Sequence, residues 1–162
     1  MYLSRREIER RIRVGRLLVG YGPGSIQGAG VDLRIGRLFS PASGASMGLE
    51  GRVLPEMREV KGATYDLAPG SYSLCLTMER VHMPQDLVAF IYPRSTLFRC
   101  GVGLRTAVVD PGYEGPLTLG MKNEGAHLFT LEKGARIAQI VFAEILEGAT
   151  NYEGRYQGGK VR

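Results

Sequence analysis

The sequence has no Trp, only two Cys and two His among 162 residues, and no apolar run approaching the ~18 residues of a membrane-spanning helix. Each scarcity removes a class of explanation. Cys75 and Cys100 stand far apart with no Cys-x-x-Cys neighbour, too few thiols for a disulfide framework or a structural zinc site, and both read as buried thiols. His82 and His127 are each isolated, so zinc-dependent hydrolysis or deamination has no ligand set. There is no Gly-Lys-Ser/Thr phosphate loop and no Gly-x-Gly-x-x-Gly opening a helix. No apolar core follows the N-terminal arginines as a secretory signal would require. The expectation is a cytoplasmic protein with no membrane partner.

What is plentiful is turn-forming residues. Gly (23) and Pro (8) make up about a fifth of the chain, while 44% hydrophobic and 23% charged residues give an ordinary globular balance. At this length one core can bury about two-thirds of the unfolded surface without a metal or disulfide.

The formal charge of +5 invites a nucleic-acid reading, but its distribution argues otherwise. Six arginines (Arg5, Arg6, Arg10, Arg11, Arg13, Arg16) face two glutamates in residues 1–16, and Arg155, Lys160 and Arg162 crowd the other end. Between them 12 basic and 14 acidic residues leave the body slightly negative. The expected partner is therefore not nucleic acid.

Residues 1–150 read as a single domain and 151–162 as a flexible arm. Ser4 and Glu7 have capping-box spacing, and Leu3, Ile8, Ile12 and Val14 give a narrow apolar stripe, predicting a helix over about 4–14 that stops at Gly15. Its arginines would line the solvent face or a subunit contact. Beyond Leu17 the pattern changes to short alternating runs broken by Gly and Pro. Strands are expected over 71–83, 86–92, 116–122 and 136–146. In the first, Tyr72, Leu74, Leu76 and Met78 share one face and Ser71, Ser73, Cys75 and Thr77 the other. One helix followed by many short strands argues for a mainly β architecture, an antiparallel barrel or a sandwich such as a distorted jelly roll. The arm combines Tyr152 and Tyr156 with cations and three Gly, a composition suited to closing over a nucleotide as well as to a mobile tail.

Polar residues gather at strand ends. Pro93-Arg94-Ser95-Thr96 puts a guanidinium beside a hydroxyl, a pairing that suits an anion or a salt-bridged turn. Val108-Val109-Asp110-Pro111-Gly112-Tyr113-Glu114-Gly115 delivers a carboxylate and then an aromatic into a tight turn. Gly28-Ala29-Gly30-Val31-Asp32-Leu33 and Arg136-Ile137-Ala138-Gln139 begin further strands with polar groups.

In order, Ala29–Leu33, Pro93–Ser95, Val108–Gly115, Arg136–Gln139 and the Gly-rich tail resemble the five motifs of the trimeric dUTPase and dCTP deaminase superfamily. Leu3–Ile8, Arg99 and Tyr156-Gln157-Gly158 look like the deaminase branch. In that branch a Glu ten residues beyond the motif Asp activates water for attack on the pyrimidine ring, and here that position is Gly120. The resemblance therefore implies a dUTP diphosphatase on a deaminase-like scaffold, with dUTP as substrate and Asp110 activating water for attack on the α-phosphorus. It further implies substrate contacts from Arg94, Ser95, Thr96, Arg99, Arg136, Gln139, Arg155, Tyr156 and Gln157. Tyr113 would pack on the deoxyribose, and the chain around Thr106 and Ala107 would read uracil. Mg2+ would be carried mainly by the triphosphate, with Asp32 in its outer shell, and the sites would be shared in a homotrimer. Two other readings remain at this point: a dCTP deaminase, alone or combined with dUTP hydrolysis through a displaced acid, and a non-catalytic nucleotide-binding regulator or nucleic-acid-binding module using the basic ends. The tail also lacks the Arg-Gly-x-Gly-Gly-Phe-Gly pattern of the phosphatase branch.

Overall fold

The computed structural model describes residues 1–146, Thr150 and residues 152–161; Asn151 and Arg162 of the expected arm lie outside them. Helix α1 spans Arg5–Gly15, close to expectation. Ser4 Oγ accepts the Glu7 N–H, but the Glu7 carboxylate turns away from the cap to Arg10 and Arg11, so only half of the capping box forms. Ile8 is fully buried and Val14 is exposed. Gly15 is the last helical residue, and the left-handed stop falls to Arg16.

Among the described residues twelve strands follow. They are β1 (Leu18–Val19), β2 (Val31–Pro41), β3 (Ser46–Met47), β4 (Arg52–Val53), β5 (Met57–Val60), β6 (Thr64–Leu67), β7 (Tyr72–His82), β8 (Leu87–Pro93), β9 (Val102–Arg105), β10 (Glu114–Asn123), β11 (Phe129–Glu132) and β12 (Arg136–Glu144). A one-turn helix, α2 (Ser95–Arg99), separates β8 from β9. The main sheet is antiparallel in the order β8-β12-β2-β7-β10-β9, with β1 added to β7 and β5 to β2. Its ends meet, because Val109, just beyond β9, exchanges both backbone hydrogen bonds with Ala89 of β8. The mainly β, nearly closed barrel expected from the strand spacing is the observed architecture. Among the described residues no helix is long and apolar enough to cross a membrane.

Leu33, Ile35, Leu38, Leu87, Leu119, Met121, Ile137, Ile140 and Phe142 fill the interior, each burial worth about 1.5–3 kcal/mol. Strand β7 presents its polar face to this core. Ser73, Cys75, Thr77 and Glu79 are buried, whereas Tyr72 and Met78 are each 42% exposed on the opposite, apolar face. The buried polar groups are satisfied in place. Thr77 Oγ1 donates to Glu79 O and accepts the Leu117 N–H, and the Glu79 carboxylate receives Arg34 N and Nε. Burial pushes the Cys75 thiol up to about 12. Cys100, expected to be buried, is exposed because it follows the short surface helix α2.

Candidate active site

The predicted residues fall into two clusters at opposite ends of β8. The first is built around Asp32, which β2 carries into the sheet with only 2% of its surface exposed. Its Oδ2 meets Arg136 Nη1 at 3.4 Å, Arg94 Nη1 at 3.7 Å and the Gln27 amide at 3.1 Å. Gln139 sits directly opposite Asp32 in the β2–β12 register. Arg94 is fixed by its own backbone as well, donating its N–H to Ile137 O of β12. Two partly exposed guanidiniums are thus oriented by one buried carboxylate, and Arg136 Nη2 also donates to Pro23 O at 2.7 Å. Ser95, Thr96 and Arg99 follow on the exposed side of α2.

The second cluster surrounds a cavity of about 330 Å³ at the turn between Val109 and β10. Ala107, Asp110, Tyr113, Leu117 and Thr118 line it from the barrel, Leu54, Pro55 and Met57 from the rim, and Tyr152, Tyr156, Lys160 and Val161 from the tail. Asp110 is exposed, and Thr106 Oγ1 donates to Ile91 O, bracing the segment before it. Tyr113 is 8% exposed; its hydroxyl donates to Pro116 O at 2.6 Å, and its ring meets Tyr152 edge-on with centroids 5.6 Å apart. Burial raises the Tyr113 phenol above its ordinary value.

Because Val109 pairs with Ala89, the segment leading into Asp110 meets β8 five residues before Arg94, or about 16 Å along the strand. One chain does not bring Asp110 to the Arg94–Arg136 pair. Nor do the described residues hold any cluster of three His, Cys, Asp or Glu able to cage a metal. Gly44-Ala45-Ser46-Met47-Gly48 has the spacing of a serine nucleophile elbow, but it lies at an exposed two-stranded hairpin rather than a strand-to-helix turn.

The dCTP deaminase-like family model matches residues 2–145. The chain belongs to that family. A probable deoxyuridine 5'-triphosphate nucleotidohydrolase of Aeropyrum pernix is 37% identical over 98% of both chains. A dCTP deaminase of Pyrobaculum arsenaticum is 36% identical over 98% of this chain and 92% of the relative. Among solved structures, 2'-deoxycytidine 5'-triphosphate deaminase from Agrobacterium tumefaciens aligns with a TM-score of 0.70 and 22% identity. That alignment covers 87% of this chain and 47% of the other, so this chain spans about half the length of that structure, and the likeness bears on fold alone. As a member of a family whose relatives are named for these activities, the chain is an enzyme.

Within this dCTP deaminase-like chain two features were hidden from sequence reasoning. The tail is laid on the Asp110 turn. Tyr152 N donates to Pro111 O, Gly158 N to Glu114 O, and the Gln157 side chain bridges Gly112 O and Glu114 N at 2.9 Å each. The Gln157 amide, expected to meet substrate, is engaged by the protein's own backbone. Arg155 is exposed at the start of this turn. Gln27 was not singled out from sequence, and Tyr152 and Lys160 were noted only within the composition of the arm, not as site residues. The second feature is at Gly120, where a Cβ would lie 2.5 Å from Tyr72 Oη and 3.0 Å from Arg105 Cβ.

Proposed function

We propose that the chain hydrolyses dUTP to dUMP and pyrophosphate. Its relatives carry both dUTPase and dCTP deaminase names, and the observation that favours the first is Gly120. Ring deamination needs a proton-transferring acid beside the pyrimidine, whereas Gly120 has no side chain and the Tyr72 hydroxyl fills the space above it. The nearby Glu124 carboxylate is paired with Arg105 at 2.7 Å.

The Asp110 cavity suits a deoxynucleoside, with apolar walls for base and sugar and a carboxylate at one edge. In the proposed reaction Asp110 takes a proton from a water whose oxygen attacks the α-phosphorus. The bond from α-phosphorus to the bridging oxygen breaks, and pyrophosphate leaves. Arg94 and Arg136, aimed by Asp32, offset the phosphate charge as it builds in the transition state. The Asp32 oxygen they share is turned toward nitrogen donors, so the residues fit a Mg2+ carried by the triphosphate and its waters rather than one held in a protein cage. When bound, that ion neutralises phosphate charge.

The separation of about 16 Å along β8 between Ala89, where the Asp110 segment pairs, and Arg94 supports a site completed by a second copy, with one subunit giving the Asp110 turn and its neighbour the Asp32–Arg94–Arg136 cluster. The outward apolar face of β7 gives the copies a surface to share, and a homotrimer is the assembly we propose. Asp110→Asn tests the chemistry. Pyrophosphate release from dUTP is expected to fall at least about a thousandfold with the fold intact. Full activity in that variant would remove Asp110 from the role.

A further inference from the structure

We propose that the Lys160 ammonium is a further substrate-binding group, holding the α-phosphate of the nucleotide across the cavity from Asp110. The proposal rests on the dUTP reading and adds to it the cation that this subunit supplies. Among the described residues lining the cavity, Asp110 and Lys160 are the charged side chains. A phosphate drawn toward the Asp110 carboxylate meets like charge, and approach requires a cation within a few ångströms. Arg94 and Arg136 are tethered to Asp32 at the far end of β8 and serve the next subunit's cavity.

The backbone is built to put Lys160 there. Gln157 clamps the Gly112–Glu114 turn with both ends of its amide, and Gly158 N adds a third hydrogen bond to Glu114 O. Gly158 and Gly159 then take left-handed φ values of 81° and 73°, which only glycine adopts at low cost, and reverse the chain. A Cβ at Gly159 would come within 2.6 Å of Pro116 O, and one at Gly115 within 2.7 Å of Gly158 Cα. The tail therefore lies flat against β10, and the next residue, Lys160, is delivered to the cavity wall. Its four-carbon stem lets the ammonium follow a phosphate oxygen without moving the clamp.

Two measurements on the full chain separate the possible outcomes. Lys160→Gln is expected to lower kcat/KM for dUTP about tenfold to a hundredfold, the range of one hydrogen bond to a charged group, and Lys160→Arg to recover most of the loss. Calorimetric titration is expected to show Lys160→Gln losing affinity for dUMP by a similar factor while its affinity for deoxyuridine, which lacks the phosphate, is unchanged. Equal loss for both ligands would assign Lys160 to the base, the sugar or the tail's docking, and would overturn the phosphate contact. So would parental activity and affinity in Lys160→Gln. If the parent itself releases no pyrophosphate from dUTP, the dUTP reading fails, and the dUMP–deoxyuridine comparison still decides the role of Lys160.

Discussion

The Tyr72 hydroxyl stands 2.5 Å from where the first side-chain atom of any residue at position 120 would have to sit. Tyr72 reaches that point from β7 across its neighbour β10, from the exposed apolar face of the sheet. The missing acid and the tyrosine over its position are one local arrangement.

Restoring the acid alone should therefore fail. Gly120→Glu is expected to release no ammonia from dCTP and to lose about 1–3 kcal/mol in urea unfolding, as overpacking does. Gly120→Glu combined with Tyr72→Ala is expected to regain part of that stability. A single variant as stable as the parent would show that Tyr72 moves aside freely.

Complementation tests the division of the site between copies. Asp110→Asn and Arg94→Ala proteins, each inactive alone, are expected to regain dUTP hydrolysis when co-refolded, because some mixed interfaces pair an intact Asp110 turn with an intact Arg94 cluster. A mixture that stays inactive would mean that each chain completes its own site.

Asp32→Asn removes the carboxylate that aims both guanidiniums. KM for dUTP should rise about tenfold or more, while the Gly112–Glu114 turn keeps its tail. Steady-state kinetics beside hydrogen exchange at the Glu114 amide checks both halves. Gln157→Ala should do the reverse at that amide, which loses its partner and exchanges faster.

Acid should act first on the docking of α1. Hydrogen bonds from Arg10 and Arg11 lower Glu7 to about 2, and Arg11 likewise lowers Asp86. Both acids have folded values below their unfolded ones, so their contribution is full above about pH 4.5 and is lost as pH falls toward 2. Glu7→Gln should lower stability near neutrality, leave it close to the parent's near pH 2 and so flatten the profile across that window, read by urea midpoints at each pH.

Much of the fold was legible in the sequence because local signals agree with the final structure. The Ser4 cap and the Ile8–Ile12 stripe give α1, and the alternation in 71–83 and 116–122 gives β7 and β10. Which face of β7 points inward was not legible. Periodicity cannot reveal that Thr77 and Glu79 will find buried partners in Leu117 and Arg34, 40 and 45 residues away in sequence. Motif order singled out Asp32, Arg94, Asp110 and Arg136 as candidates. It could not tell that β8 separates Asp110 from Arg94, since that follows from the pairing of Val109 with Ala89. Nor could composition show that Gln157, Gly158 and Gly159 would fasten a polar tail to β10 and its preceding turn.

Product analysis tests the central claim most directly. The parent protein is incubated with Mg2+ and either dUTP or dCTP, and pyrophosphate and ammonia are followed together. Pyrophosphate and dUMP from dUTP, with no ammonia from dCTP, is the predicted result; ammonia from dCTP, or no pyrophosphate from dUTP, would contradict it.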